Sequence, residues 1–193
     1  MQEAARTNRD RTERTRAALL QAARALFVAK GYADTSTPEI VAAAGITRGA
    51  LYHHFDDKRA LFRAVVAAEA EAVAHDIEQR AAPVKASPVN ALLAGGVAYL
   101  DAMAVPGRTR LLLIEGPSVL GVAEIRALDD DTAARTLREG LQAAIGSSAQ
   151  LPALADLLSA AFDRAALAIE AGADAKPYHA AIALVIKRLV QSA

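Results

Sequence analysis

The sequence predicts an all-α protein: an N-terminal three-helix head built on a helix-turn-helix, followed by a C-terminal helical body. Three observations predict this. Ala, Leu, Arg and Glu dominate the chain, and all four favour helix. Val and Ile occur singly or in pairs, without the alternating runs that mark strands. Gly and Pro are spaced so that the segments between them have helical length. Helices are expected near 10–30, 37–44, 48–54, 57–81, 87–104, 107–115, 121–145, 152–171 and 177–191. Pro106-Gly107 and Gly116-Pro117 read as breaks on either side of one short helix.

The first helix carries Leu19, Leu20, Ala23, Leu26 and Phe27 on one face, and Gly31 stands where a left-handed stop is expected. Ser36 with Glu39 three residues later fits a capping box, and Pro38 is tolerated in a first turn. Ile40, Val41 and Ala44 form the apolar side of that short helix. Gly45 breaks it, and Thr47 can cap the next, Arg48-Gly49-Ala50-Leu51-Tyr52-His53-His54-Phe55. Two short helices joined by a tight glycine-containing turn make a helix-turn-helix.

The second helix of such a unit is slim enough to enter a major groove about 12 Å wide. Gly49 and Ala50 are small, so the backbone can approach the bases. Arg48 can offer guanine O6 and N7 a two-pronged donor, worth about 1–3 kcal/mol of discrimination. Leu51 and Phe55, four apart, would face inward and anchor the helix. Tyr52, His54 and Lys58 carry donors that can reach phosphates. The helix amino ends at Ser36, Thr47 and Asp57 present backbone N–H groups outward. Thr37 and His53 complete the candidate DNA-contacting set, and a metal on His53 and His54 is not expected.

Gly31-Tyr32, Ser36, Ile40, Ala44-Gly45-Ile46-Thr47, Gly49-Ala50-Leu51-Tyr52, His54-Phe55, Lys58 and Leu61 resemble the signature of the TetR/AcrR family of transcriptional regulators. The match covers residues 12–62. Val41 stands where that pattern usually has Ala, and Ser36 where it has Thr. The resemblance implies a dimeric repressor of a double-stranded DNA operator. It also implies a six-helix body with an inducer pocket, and dimerisation through the last two helices. The corresponding division is 1–9 as a flexible basic arm, 10–56 as the DNA-binding head and 57–193 as the ligand-binding and dimerisation body. Arg6, Arg9 and Arg11 of the arm region can enter a minor groove, or form a solvated tail.

The last two helices carry broad apolar stripes that suit either a core or a dimer interface. The interface candidates are Leu158, Ala161, Ala165, Ile182, Val185, Ile186 and Leu189. Two-fold pairing would set two heads one DNA turn, ~34–36 Å, apart. The segment from Leu92 to Leu120 is the best pocket candidate, with Tyr99, Met103, Leu112, Leu113 and Glu115, closed by Phe162. So aliphatic a lining suits a small, largely apolar effector.

Charge and composition narrow the rest. Residues 1–60 carry ten bases and seven acids, and the remainder twelve bases and fifteen acids, so a net charge of zero hides a basic head. With no Cys, disulfide scaffolds and thiolate chemistry are excluded. The sequence holds no G-x-S-x-G, P-loop, H-E-x-x-H or Rossmann glycine pattern, so no enzyme and no cofactor is expected. Apolar runs are far shorter than the ~20 residues of a membrane span, the first sixteen residues are charged rather than signal-like, and a cytoplasmic protein is expected. The rival readings are a helical protein-interaction module without DNA binding and, within the regulator class, an activator.

Overall fold

The structure, a computed structural model, describes the backbone of residues 2–84 and 87–192, and the side chains of 11–83 and 87–191. The head comprises α1 (Gln2–Lys30), α2 (Thr37–Ala44) and α3 (Arg48–His54). The body begins with α4 (Lys58–Ala81), followed by a single 3-10 turn and α5 (Pro88–Met103). Next come α6 (Arg108–Arg110), a π-helical turn (Leu111–Glu115) and α7 (Gly116–Leu120). The chain closes with α8 (Val122–Asp130), α9 (Ala133–Ile145), α10 (Leu151–Glu170) and α11 (Ala175–Ser192). Among the described residues no strand forms, and no single helix is long and apolar enough to cross a membrane.

Local chemistry accounts for the helix-turn-helix. The Ser36 hydroxyl accepts from the Glu39 N–H while the Glu39 carboxylate accepts from the Ser36 N–H, a reciprocal box that starts α2. Gly45, at φ 66°, stops it. Thr47 Oγ1 accepts from Ala50 N–H at 3.2 Å and starts α3. Leu19, Ala23 and Phe27 of α1, Ile40 of α2, Leu51 of α3 and Leu61 and Phe62 of α4 are wholly buried and meet in one core. Each of these side chains other than Ala23 contributes about 1.5–3 kcal/mol by leaving water. Phe62 packs edge-on against Phe27 at 5.1 Å and against Tyr32 at 5.0 Å.

A second core fills the body with Val73 and Ile77 of α4, Leu92, Leu100 and Met103 of α5, Leu141 of α9, Phe162 of α10 and Ile186 of α11. Helix α4 therefore serves both cores, its first turns the head and its last turns the body. Leu111 and Leu120, at the two ends of the π turn and α7, also insert into the head core.

Several expected boundaries shift for physical reasons. α1 begins at Gln2, so residues 2–9, expected as an arm, continue the helix backbone; the Arg6 and Arg9 side chains lie outside the described residues. Gly116-Pro117 does not break the chain, because Gly116 keeps helical angles and its N–H reaches back five residues to Leu111 O. The wider π turn makes room for the Pro117 ring, which would clash with a carbonyl in a regular α-helix. The break expected at Gly107 is present, at φ 78°. A Cβ there would sit 2.5 Å from Val28 Cγ1 on α1, so body and head touch at this point. The long helix expected over 121–145 is two helices, parted at Asp131-Thr132, where the Thr132 hydroxyl donates to Leu128 O.

Candidate functional site

Helix α3 is held from below and open above. Leu51 and Phe55 are buried, whereas Thr47, Arg48, Gly49, Tyr52 and His53 are exposed, with Ala50 and His54 half-buried beside them. The expected inward and outward faces are therefore realised. The Arg48 guanidinium lies 5.5 Å from the centroid of the Tyr52 ring. Interaction of the phenol with Arg48 first, and with Thr37 second, holds Tyr52 below its usual pKa. A Cβ at Gly49 would meet only Thr47 Oγ1, at 4.0 Å, so internal packing does not require glycine there. His54 is lowered in pKa by burial first, then by His53 and Arg16, which favours its neutral form. Arg16 of α1 extends the basic face, its guanidinium 5.6 Å from the Phe55 ring centroid.

Two expected contacts have internal partners as well. Lys58 Nζ donates to Tyr32 O and Thr35 O, each at 2.9 Å, and stands 4.2 Å from the Tyr32 ring centroid. It ties α4 to the turn after α1, where the sequence reading placed it on phosphate. The Ser36 hydroxyl donates to Glu39 Oε2 at 2.8 Å, and Glu39 is also paired with Lys30. Lys30 and the Ser36 groups hold the Glu39 carboxyl down at about 2, so an anion sits at the start of α2. Thr37 remains half-buried beside it.

Among the described residues, two cavities of the body bear on the expected pocket. One, about 450 Å³, lies between α4, α5, α9 and α10 and includes Tyr99 and Phe162 in its wall. The other, about 330 Å³, is bounded by α4, α5, the π turn, α8, α9 and α10 and includes Tyr99, Met103, Leu112 and Leu113. Glu115 lines neither and is corrected to the head–body junction. Its Oε2 accepts from Tyr32 N–H at 2.9 Å and its Oε1 pairs with Arg110 at 2.7 Å. The extra residue in the π turn rotates the side chains that follow by about 100°, turning Glu115 toward Gly31.

The sequence reading missed the centre of that junction. Glu69 of α4, 8% exposed, accepts from Arg24 Nε of α1 at 2.8 Å and from Arg108 Nε of α6 at 2.9 Å. Burial pushes its pKa up, but hydrogen bonds to Arg24 and Arg108 outweigh this and hold it lowered. Arg24 also reaches Pro106 O and Arg108 reaches Ala102 O. The signal was present in the sequence: Glu69 falls on the stripe of Phe62, Val66 and Val73, where a lone carboxylate demands a partner.

The expected interface stripe divides in two. Leu158, Ala165, Ile182 and Ile186 are buried in this chain's own core and are corrected to core residues, while Leu189 is half-buried. Ala161 and Val185 face out, with Leu157 at 70%, Leu184 at 57% and Val185 at 50% exposure. The stripe was wide enough for two faces, and the sequence placed the outer one about a quarter turn off.

Comparison with known proteins agrees with this geometry. Residues 19–65 match the family model for bacterial regulatory proteins of the tetR family, and residues 89–193 match that for the tetracyclin repressor-like C-terminal domain. A TetR-family transcriptional regulator from Pectobacterium atrosepticum is 30% identical, with 94% of each chain covered and a TM-score of 0.69. LfrR from Mycobacterium smegmatis, solved in complex with proflavine, is 24% identical over 91% of this chain and 95% of that one, at a TM-score of 0.64. The regulator AcrR of Shigella flexneri is 47% identical over 58 residues, 30% of this chain and 27% of AcrR. The chain thus matches about a quarter of that curated relative's length. The two family models and the fold place the chain among DNA-binding transcriptional regulators of the helix-turn-helix class. The chain belongs to the TetR family of bacterial regulatory proteins.

Proposed function

We propose that the protein is a homodimeric repressor that leaves a palindromic operator when a small, largely apolar effector enters its body. The observation that carries the DNA-binding half is α3 itself, fixed by Leu51 and Phe55 and exposing Thr47, Arg48, Gly49 and Tyr52 on one side. Arg48 reads a base edge once it leaves the Tyr52 ring, and Thr47, Tyr52 and His54 grip phosphates. The third N–H of Lys58, beyond its two carbonyl partners, remains for phosphate. Leu157, Ala161, Leu184 and Val185 pair two copies across the α10–α11 face, where three large apolar side chains stand at least half exposed.

The switch runs through residues 108–130. On one side this segment lines the smaller cavity with Leu112, Leu113 and Ile125. On the other it inserts Leu111 and Leu120 into the head core and carries Arg108 and Glu115, which grip α4 and the end of α1. A ligand that favours a displaced segment moves the heads from the spacing the operator needs. LfrR, of similar fold, was solved in complex with proflavine, which supports a small-molecule effector for this fold. Selection of bound duplexes from a random pool tests the reading. The expected product is an inverted repeat with half-sites one turn apart. Linkage then requires operator DNA to weaken effector binding by the factor by which effector weakens operator binding. Equal effector affinity with and without operator removes the switch.

A further inference from the structure

The two body cavities share part of their wall. Tyr99, with Ala133 and Ser159, lines both. Its hydroxyl donates to Asp163 Oδ1 at 2.5 Å. On the same wall of the smaller cavity stands Asp129 of α8, near enough to Asp163 for the two charges to oppose each other. Among the described residues neither carboxylate has an ion pair. The two arginines of this cavity are committed elsewhere: Arg126 to Asp156 and Arg138 to Asp130, both at 2.7 Å. Burial first, then Asp163, pushes the Asp129 carboxyl up to about 6. Burial likewise raises Asp163, against the pull of the Tyr99 hydroxyl.

The chamber thus joins an aliphatic lining to two half-buried carboxylates without an ion pair among the described residues, Arg138 and the Ala134 N–H offsetting only part of the burial and repulsion at Asp129. Keeping an anion out of water without a cation is costly, and the cost vanishes when a positive group arrives. We propose that the smaller cavity takes an organic cation, its apolar body against Val66, Val73, Met103 and Leu112 and its positive group held by Asp129 and Asp163. The inference rests on the reading of the body as an effector site and narrows that effector from merely apolar to apolar and positively charged. An anion of the same shape meets two carboxylates. A neutral isostere gains the apolar contacts but leaves the carboxylates as they were. The Tyr99 ring, beside the charge, adds a face on which a cation can rest.

Calorimetric titration of the DNA-free full chain with methyltriphenylphosphonium, and with its neutral near-isostere triphenylphosphine oxide, tests this. The cation is expected to bind at least about tenfold more tightly, a factor equivalent to about 1.4 kcal/mol. Asp129→Asn with Asp163→Asn is expected to abolish the preference while leaving affinity for the neutral compound unchanged, which also certifies the fold. Should the double variant not fold, Asp129→Asn alone carries the comparison. Equal affinities, no cation binding up to about 1 mM, or a preference that survives the substitutions would each overturn the inference. Duplex release is scored in a separate titration. Cation binding that leaves duplex affinity untouched supports the cavity assignment and removes the switch. Release by an uncharged compound alone, with no cation preference, does the reverse.

Discussion

Replacing Glu69 by Ala tests the link between head and body. The carboxylate takes three N–H groups, two from Arg24 at 2.8 and 3.1 Å and one from Arg108 at 2.9 Å. The Arg108 side chain is 9% exposed and that of Arg24 30%. After the substitution Arg24 can rehydrate, so the loss is set mainly by Arg108. That guanidinium keeps Ala102 O at 2.8 Å and the largely exposed Asp76 at 3.5 Å. Breaking a buried pair by removing one partner costs about 3–5 kcal/mol; the partners that remain put the expected loss near 3 kcal/mol, roughly 10 °C in midpoint for a chain of this size. Urea unfolding followed by circular dichroism measures it. Because the folded pKa of Glu69 lies below its unfolded value, its stabilisation is complete above the unfolded pKa and fades as pH falls through the folded one. The gap between wild type and variant should therefore be flat near neutrality and shrink only in acid. The pair Glu69→Leu with Arg108→Met should recover most of the loss. A single-variant loss under about 1 kcal/mol would refute the reasoning.

Four further outcomes are expected. Glutamate at Leu157 or Val185, both outward, should leave folding intact and yield monomers in sedimentation; dimers that persist place the interface elsewhere. Ile182→Glu, at 8% exposure, should instead destabilise the chain itself. Gly49→Ala should fold with equal or greater stability, since a Cβ there meets nothing closer than 4.0 Å and alanine is the better helix former by about 1 kcal/mol, yet bind duplex DNA more weakly; unchanged binding would mean the backbone does not approach the bases. Asp129→Asn should raise the urea midpoint above pH 6. The folded pKa of about 6 against the usual 3.8 means that ionisation destabilises the fold, by at most about 3 kcal/mol. The gain should vanish below pH 4, and a gain independent of pH would contradict that cause.

The head was legible because each decision in it is local. Ser36, Glu39, Gly45 and Thr47 set the ends of α2 and α3 by their own side chains or lack of one, and the structure keeps those bounds. Burial of Leu51 and Phe55 followed from a spacing of four. The body was less legible because its decisions are tertiary. Gly116-Pro117 reads as a break, and only the π turn that absorbs it reveals why the helix continues. Glu115 left the expected pocket for the same reason. Ile182 and Ile186 share one helix with Leu184 and Val185, and apolarity alone could not say which side meets the chain's own core. Asp129 and Asp163 lie 34 positions apart and come together only across the smaller cavity, where α8 and α10 each pack against α9.

The central claim, that α3 of each copy of a dimer lies in a major groove, is tested most directly by titrating wild type and Arg48→Ala against the selected duplex and its single-base variants at fixed salt. The expected result is tight binding to one inverted repeat by wild type. Arg48→Ala should lose discrimination at one base pair per half-site, about 1–3 kcal/mol, whereas Thr47→Ala and Tyr52→Phe weaken binding to every sequence alike. Indifference of the wild-type protein to all duplexes at low ionic strength, or an unaltered preference in Arg48→Ala, would contradict it.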